Sequence, residues 1–127
     1  MGSACSVASR LQAILRMILS IMKVRPSAEK RTEVFQTIAS LAPMIRGEKG
    51  CLRCEFCQEC EDDTSFTIIE EWGSREEFDG HLRSPVYGIL LGLAPLLERP
   101  LGVSICTVTS REGMETVKMA RGQVAVH

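Results

Sequence analysis

The stretch from Gly50 to Trp72 constrains this chain most, because it reads as two extended runs joined by a charged turn. Leu52, Cys54 and Phe56 share one parity and Arg53 and Glu55 the other, which is the two-residue alternation of a strand. Glu61, Asp62 and Asp63 mark the turn, and the residues from Ser65 to Trp72 (SFTIIEEW) form the returning strand of a hairpin. Gly47 and Gly50 flank the turn that leads into it.

The remaining elements supply what a hairpin needs around it. Arg16 to Val24 is rich in apolar and β-branched residues and stops at Arg25-Pro26, where proline cannot continue a ladder. Ser27 can cap a helix from Ala28 to Met44, whose apolar Val34, Phe35, Ile38, Leu41, Ala42 and Ile45 recur at helical spacing, with Pro43 disturbing its end. Ser74 with Glu77 forms a capping box for a short helix directly after Trp72 and Gly73. Ser84-Pro85 starts another, with Val86, Ile89, Leu90, Leu93 and Leu97 as its apolar face. Leu101 to Thr109 reads as a fourth strand. The order β-α-β-β-α-β predicts an α+β, ferredoxin-like fold: a four-stranded antiparallel sheet with helices on one face. It divides the chain into an N-terminal extension over residues 1–15, with a short helix as one option, a domain over 16–109, and an edge strand or tail over 110–127.

Composition narrows the function classes. Hydrophobic residues are 45% and charged residues 24%, a globular balance that excludes a disordered chain. A net charge of -1 gives no broad field to attract phosphate backbones or anionic lipid, so nucleic acid is not an expected partner. The longest nearly uncharged apolar run, Val86 to Leu97, is well short of the ~20 residues that a spanning helix needs, so no membrane span is expected. The N-terminus carries no signal-peptide pattern, which points to a cytoplasmic protein whose six cysteines are reduced thiols or metal ligands rather than disulfides.

Cys51, Cys54, Cys57 and Cys60 repeat at intervals of three, a spacing that on its own suggests an iron-sulfur or zinc site. On a strand, however, spacing by three sends alternate side chains to opposite faces, and four thiolates cannot converge. The strand reading puts Cys54 and Cys60 in the core and Cys51 and Cys57 on the other face. No metal site is expected, although a loop in place of the strand would restore one.

Glu70 and Trp72 share a face with Phe66 and Ile68, and that face should meet the helices. A carboxylate ending an apolar row must be paired, hydrogen-bonded or set at the mouth of a cavity, and a structural Glu fits as well as a functional one. Glu71 points the other way. His81 follows Phe78 by three residues and lies at the margin of its helix's apolar stripe, where a satisfied structural histidine is the commoner occupant.

The segment GCLRCEFCQECEDDTSFTIIEEWGSREEFDGHLRSPVYGILLGLAPLL resembles the antibiotic biosynthesis monooxygenase family, in its glycine turn, its hairpin ending in Glu-x-Trp, and its Trp-to-His gap of nine before a Ser-Pro helix start. With RMILSIMKVRP and the first helix, the resemblance covers Arg16 to Val108. It implies a homodimer in which two sheets pack face to face as a dimeric α+β barrel. It also implies, from several members, oxidation of a small aromatic quinol or polyketide by molecular oxygen without metal or flavin, so that no cofactor is expected. Under that resemblance His81 moves the proton, Trp72 shapes the pocket and Glu70 orients a donor or the histidine. Ser20, Phe66, Ile68 and Tyr87 are the expected substrate contacts. Haem-degrading members pair the same Trp and His with an Asn on the first strand, and this sequence has no Asn. A non-enzymatic ligand-binding or stress-related dimer of the same fold is the alternative, with a Cys-cluster metal protein behind it.

Overall fold

The structure, a computed structural model, describes residues 16–123. The expected extension over 1–15 and its optional helix lie outside the described residues. The chain runs through β1 (Met17–Val24), a 3-10 turn leading into α1 (Arg31–Arg46), β2 (Cys51–Gln58), β3 (Phe66–Trp72), α2 (Arg75–Leu82), α3 (Pro85–Leu91), β4 (Gly102–Val108) and α4 (Met114–Ala120). The strands form one sheet in the order β2-β3-β1-β4, with every neighbour antiparallel. This is the ferredoxin-like α+β arrangement that the sequence pattern predicts.

One face of the sheet carries the core. Ile18, Met22 and Val24 of β1 and Phe66, Ile68 and Trp72 of β3 are each at most 2% exposed. The α1 residues Val34, Ile38, Leu41, Ala42 and Ile45 pack on them, together with Phe78 of α2 and Tyr87 and Leu90 of α3. Register fixes which side chains meet across that face. One row runs Cys54, Glu70, Ser20, Ile105, and a neighbouring row runs Cys51, Trp72, Ile18, Thr107. The opposite face is less enclosed: Met17, Leu19, Ile21 and Ile69 are half-buried there, and Glu71 is buried between Arg53 and Arg111.

Several local expectations are corrected. The first helix does not stop at Met44 but continues to Arg46 with Pro43 inside it. Both Pro43 and Ala39, the residue whose carbonyl loses its donor, lie on the exposed side, where water can take the place of the missing N–H. The helix opens at Ser84-Pro85 as expected, with the Ser84 hydroxyl as its cap, but it ends at Leu91. Its buried face is Tyr87 and Leu90, continued by Leu93, while Ile89 is 48% exposed. The C-terminal segment winds into α4, where an edge strand or tail was expected.

The cysteine run is also rearranged. A β-bulge between Cys51 and Arg53 places an unpaired residue, Leu52, at 63% exposure, and shifts the strand's parity. Cys51 therefore stands on the core side with Cys54, instead of on the other face. Cys60 lies beyond the end of β2 and is exposed, not in the core. Among the described residues, no group of three or more His, Cys, Asp or Glu side chains is arranged to hold a metal ion.

Candidate functional site

Trp72, Glu70 and His81 come together between the sheet and the helices. β3 delivers the first two to the core face because they are two residues apart on a strand, and α2 delivers His81 three residues after the buried Phe78. The start of α2 is fixed by its cap, in which the Ser74 hydroxyl accepts the Glu77 N–H at 3.1 Å. His81 is 2% exposed, Glu70 2% and Trp72 0%, so His81 is fully inside and not at the stripe's margin.

The Trp72 indole N–H donates to Glu70 Oε1 at 2.8 Å. His81 Nε2 lies 3.0 Å from the same oxygen, but off the hydrogen-bond line, so that contact is an ionic approach and the nitrogen has no well-directed partner. Its other ring nitrogen, Nδ1, is 2.8 Å from Glu48 Oε2. The imidazole is thus held between two carboxylates. It stacks on Trp72 with ring centroids 4.5 Å apart and 24° between planes, and Tyr87 meets it edge-on at 5.2 Å.

Burial by itself disfavours the charged imidazolium, but Glu70 and Glu48 outweigh it and raise the His81 pKa above its usual value. The indole face adds a cation–π attraction for the protonated ring. Burial, and then the Glu70 charge, raise the Tyr87 hydroxyl and push the Cys54 thiol up to about 12. Cys51 is raised by burial as well. Neither thiol is therefore activated as a nucleophile. The two carboxylates approach opposite ring nitrogens, so the three groups do not share a point that a metal ion could occupy. Chemically the cluster can hold a proton near neutrality and move it from one side of the imidazole to the other.

The other expected residues divide into those brought to this cluster and those that are not. Ser20 is buried and stands opposite Glu70 in register. Tyr87 touches His81, and Ile68 lies one core-side position from Glu70 along β3. Phe66 is not brought in: it sits at the far end of β3 in a second aromatic group, 5.2 Å from Phe56 and 5.8 Å from Phe35 between ring centroids. A groove of about 320 Å³ opens beside β2, lined by Arg46, Cys51, Leu52, Arg53, Cys54 and Glu55. Cys54 is the register partner of Glu70, so the groove reaches within one strand of the carboxylate.

Glu48 was not among the sequence candidates. It lies in the turn between α1 and β2, which has no periodicity to betray the direction of a side chain. Its signal was the glycine pair around it. Gly50 has φ +89°, and a Cβ there would overlap the Glu77 side chain. Its carbonyl also accepts the Gly73 N–H at 2.9 Å. Only glycine lets the turn lie against the start of α2 and so bring Glu48 to His81.

Comparison with known proteins agrees with the fold. Residues 17–88, more than half of the chain, match the family model described as antibiotic biosynthesis monooxygenase. The uncharacterized protein sll1783 of Synechocystis is 26% identical over 92 residues, which are 72% of this chain and 61% of that protein, so the chain spans less than two thirds of that relative's length. Among solved structures, a conserved protein from Methanosarcina mazei is similar with a TM-score of 0.68 and 26% identity, over 76% of this chain and 96% of its own. A candidate antibiotic biosynthesis monooxygenase from Deinococcus radiodurans is similar with a TM-score of 0.71 and 23% identity, again over 76% and 96%, a likeness that carries the fold.

Proposed function

Because this chain belongs to the antibiotic biosynthesis monooxygenase family, we propose that it is a cofactor-independent oxygenase acting on a small aromatic substrate of quinol or polyketide type. The observation that carries this reading is the buried imidazole of His81, held between two carboxylates and stacked on the indole of Trp72. An electron-rich aromatic reacts with oxygen once it has lost a proton, so the protein needs a proton acceptor in a place shielded from water. His81 takes that proton with Glu70, while Trp72 and Tyr87 form an aromatic wall against which a planar ring can lie. Ser20 and Ile68 are the further contacts, and the groove beside Cys54 is the approach. The substrate then supplies the electrons: its activated carbon takes one oxygen atom as a carbonyl, and the two hydrogens it loses leave with the other atom as water.

The same reading includes a homodimer. The half-buried Leu19, Ile21 and Ile69 on the open face of the sheet support it, and sedimentation at micromolar concentration tests it. The described cysteines are all unbridged, which suits a cytoplasmic location. Among the described residues no helix is long and apolar enough to cross a membrane.

The test is oxygen uptake with a panel of hydroquinones and polycyclic phenols. His81→Ala and Trp72→Phe should each lower the rate, the former by about a hundredfold or more, as loss of acid–base help does. Equal rates in the parent and both variants remove the site from the chemistry. A second reading, a ligand-binding dimer without turnover, is favoured by the closure of the cluster, in which His81 and Glu70 are each only 2% exposed. Binding of an aromatic compound with no product after long aerobic incubation selects it.

A further inference from the structure

The geometry points to Glu48 as the proton-relay residue that connects the buried imidazole of His81 to solvent. The inference rests on the oxygenase reading for its purpose and on three separate observations for its substance.

First, the two carboxylates occupy different ring nitrogens: Glu48 Oε2 is 2.8 Å from Nδ1 and Glu70 Oε1 is 3.0 Å from Nε2. An imidazole placed in this way can take a proton at one nitrogen and release another from the opposite one. Second, the three side chains differ in exposure: those of Glu70 and His81 are enclosed, whereas that of Glu48 is 22% exposed, so Glu48 is the member that meets water. Third, Nε2 lacks a well-directed hydrogen bond, which leaves its lone pair free to receive a proton in the Nδ1–H tautomer. Glu48 itself is held in place by the Gly50 turn, whose backbone packs against Glu77 and Gly73.

The groups that face His81 are Glu48 from the α1–β2 turn, Glu70 and Trp72 from β3, and Tyr87 from α3. Cys51 and Cys54 of β2 stand close enough to Glu70 to feel its charge. None of these except Glu48 combines a carboxylate with contact to water, so a proton leaving His81 goes through Glu48.

The relay balances. The substrate C–H or O–H bond breaks and its proton goes to Nε2, where the Glu70 carboxylate offsets the charge; the Nδ1 proton passes to Glu48 and from there to water. When the reduced oxygen later needs a proton, the same route runs inward and restores the starting tautomer. Glu48 does not touch the substrate in this scheme. It is a positioning residue that acts through His81.

The experiment follows the ring N–H of His81 by nuclear magnetic resonance, in the parent, Glu48→Gln and Glu48→Asp. The chain has two histidines, so His127→Ala assigns the signals. Exchange of the His81 ring proton with water should slow by about tenfold or more in Glu48→Gln, the size expected for loss of one acid–base group, and recover in part in Glu48→Asp. Exchange in Glu48→Gln equal to the parent's overturns the relay. Should Glu48→Gln not fold, exchange in Glu48→Asp decides the matter: a rate unchanged from the parent overturns the relay, because a side chain one methylene shorter must lengthen the Nδ1 contact. Oxygen uptake is a separate arm. If the parent turns over no substrate while exchange still slows in Glu48→Gln, the oxygenase reading fails and the relay stands.

Discussion

Replacing Glu70 by Gln tests the electrostatic core of the site without calling on any activity. The side-chain oxygen that accepts the Trp72 N–H is kept, the volume is nearly unchanged, and one negative charge beside His81 is removed. The sign follows from linkage. In the parent the two carboxylates raise the His81 pKa in the folded state, so the folded protein holds a proton that the unfolded chain has already released. The stability this contributes is fully present below the unfolded pKa of about 6.5 and is lost as pH rises through the raised folded value. Within that window the parent should lose about 1.4 kcal/mol per pH unit from this group. Glu70→Gln narrows the window, because Glu48 alone then supports the imidazolium. At pH 6 the variant should be less stable by about 3 kcal/mol, the low end for removing one partner of a buried ion pair, because Glu48 remains. Above the folded pKa the deficit should shrink, since a neutral ring gains little from the charge and Gln relieves the burial of a carboxylate. Urea titrations followed by the fluorescence of Trp72, the sole tryptophan, measure this between pH 6 and 9. A deficit that is constant across that range, or grows with pH, would refute the claim that the two carboxylates favour the protonated form of His81.

Gly50→Ala should destabilise the protein by about 2–3 kcal/mol, because it combines a strained positive φ with a Cβ that overlaps the Glu77 side chain; thermal melts followed by circular dichroism measure it. It should also move the His81 resonance, since the turn carries Glu48. Maleimide labelling followed by mass spectrometry should modify the exposed Cys60 first, with Cys54 protected until unfolding, because burial and Glu70 keep its thiol near a pKa of about 12. Rapid labelling of Cys54 in native buffer would show that the groove opens further than the structure has it.

The fold was legible where periodicity is strong and local. Alternation in SFTIIEEW identified β3 and placed Glu70 and Trp72 on one face, and the hairpin expected with β2 is the antiparallel pair observed. Ser74 was readable as a cap because a hydroxyl at that position answers an otherwise unpaired N–H, and the start at Ser84-Pro85 was readable because proline at a first helical position loses no useful donor. What misled was a single inserted residue. The bulge at Leu52 shifts every earlier position of β2 by one, and an alternation count along one strand cannot detect it, since a bulge is defined only against the partner strand. Cys51 changed faces for that reason alone. Pro43 illustrates the converse: its cost to a helix depends on whether the orphaned carbonyl meets water, which is a property of the packed molecule and not of the sequence.

The site divides in the same way. Trp72 and Glu70 come from a strand whose parity fixes their direction, whereas the burial of His81 depends on how α2 docks, and Glu48 belongs to a turn with no period at all. Yet the turn's glycines have a physical cause that joins them to the chemistry. A Cβ at Gly50 would press on Glu77, which is also the residue whose N–H donates to the Ser74 cap of α2, so one contact sets both the start of the helix that carries His81 and the position of the loop that carries Glu48. The two groups are aligned by a single shared constraint. Their 2.8 Å contact should therefore survive substitutions elsewhere in the core and fail when that turn is strained.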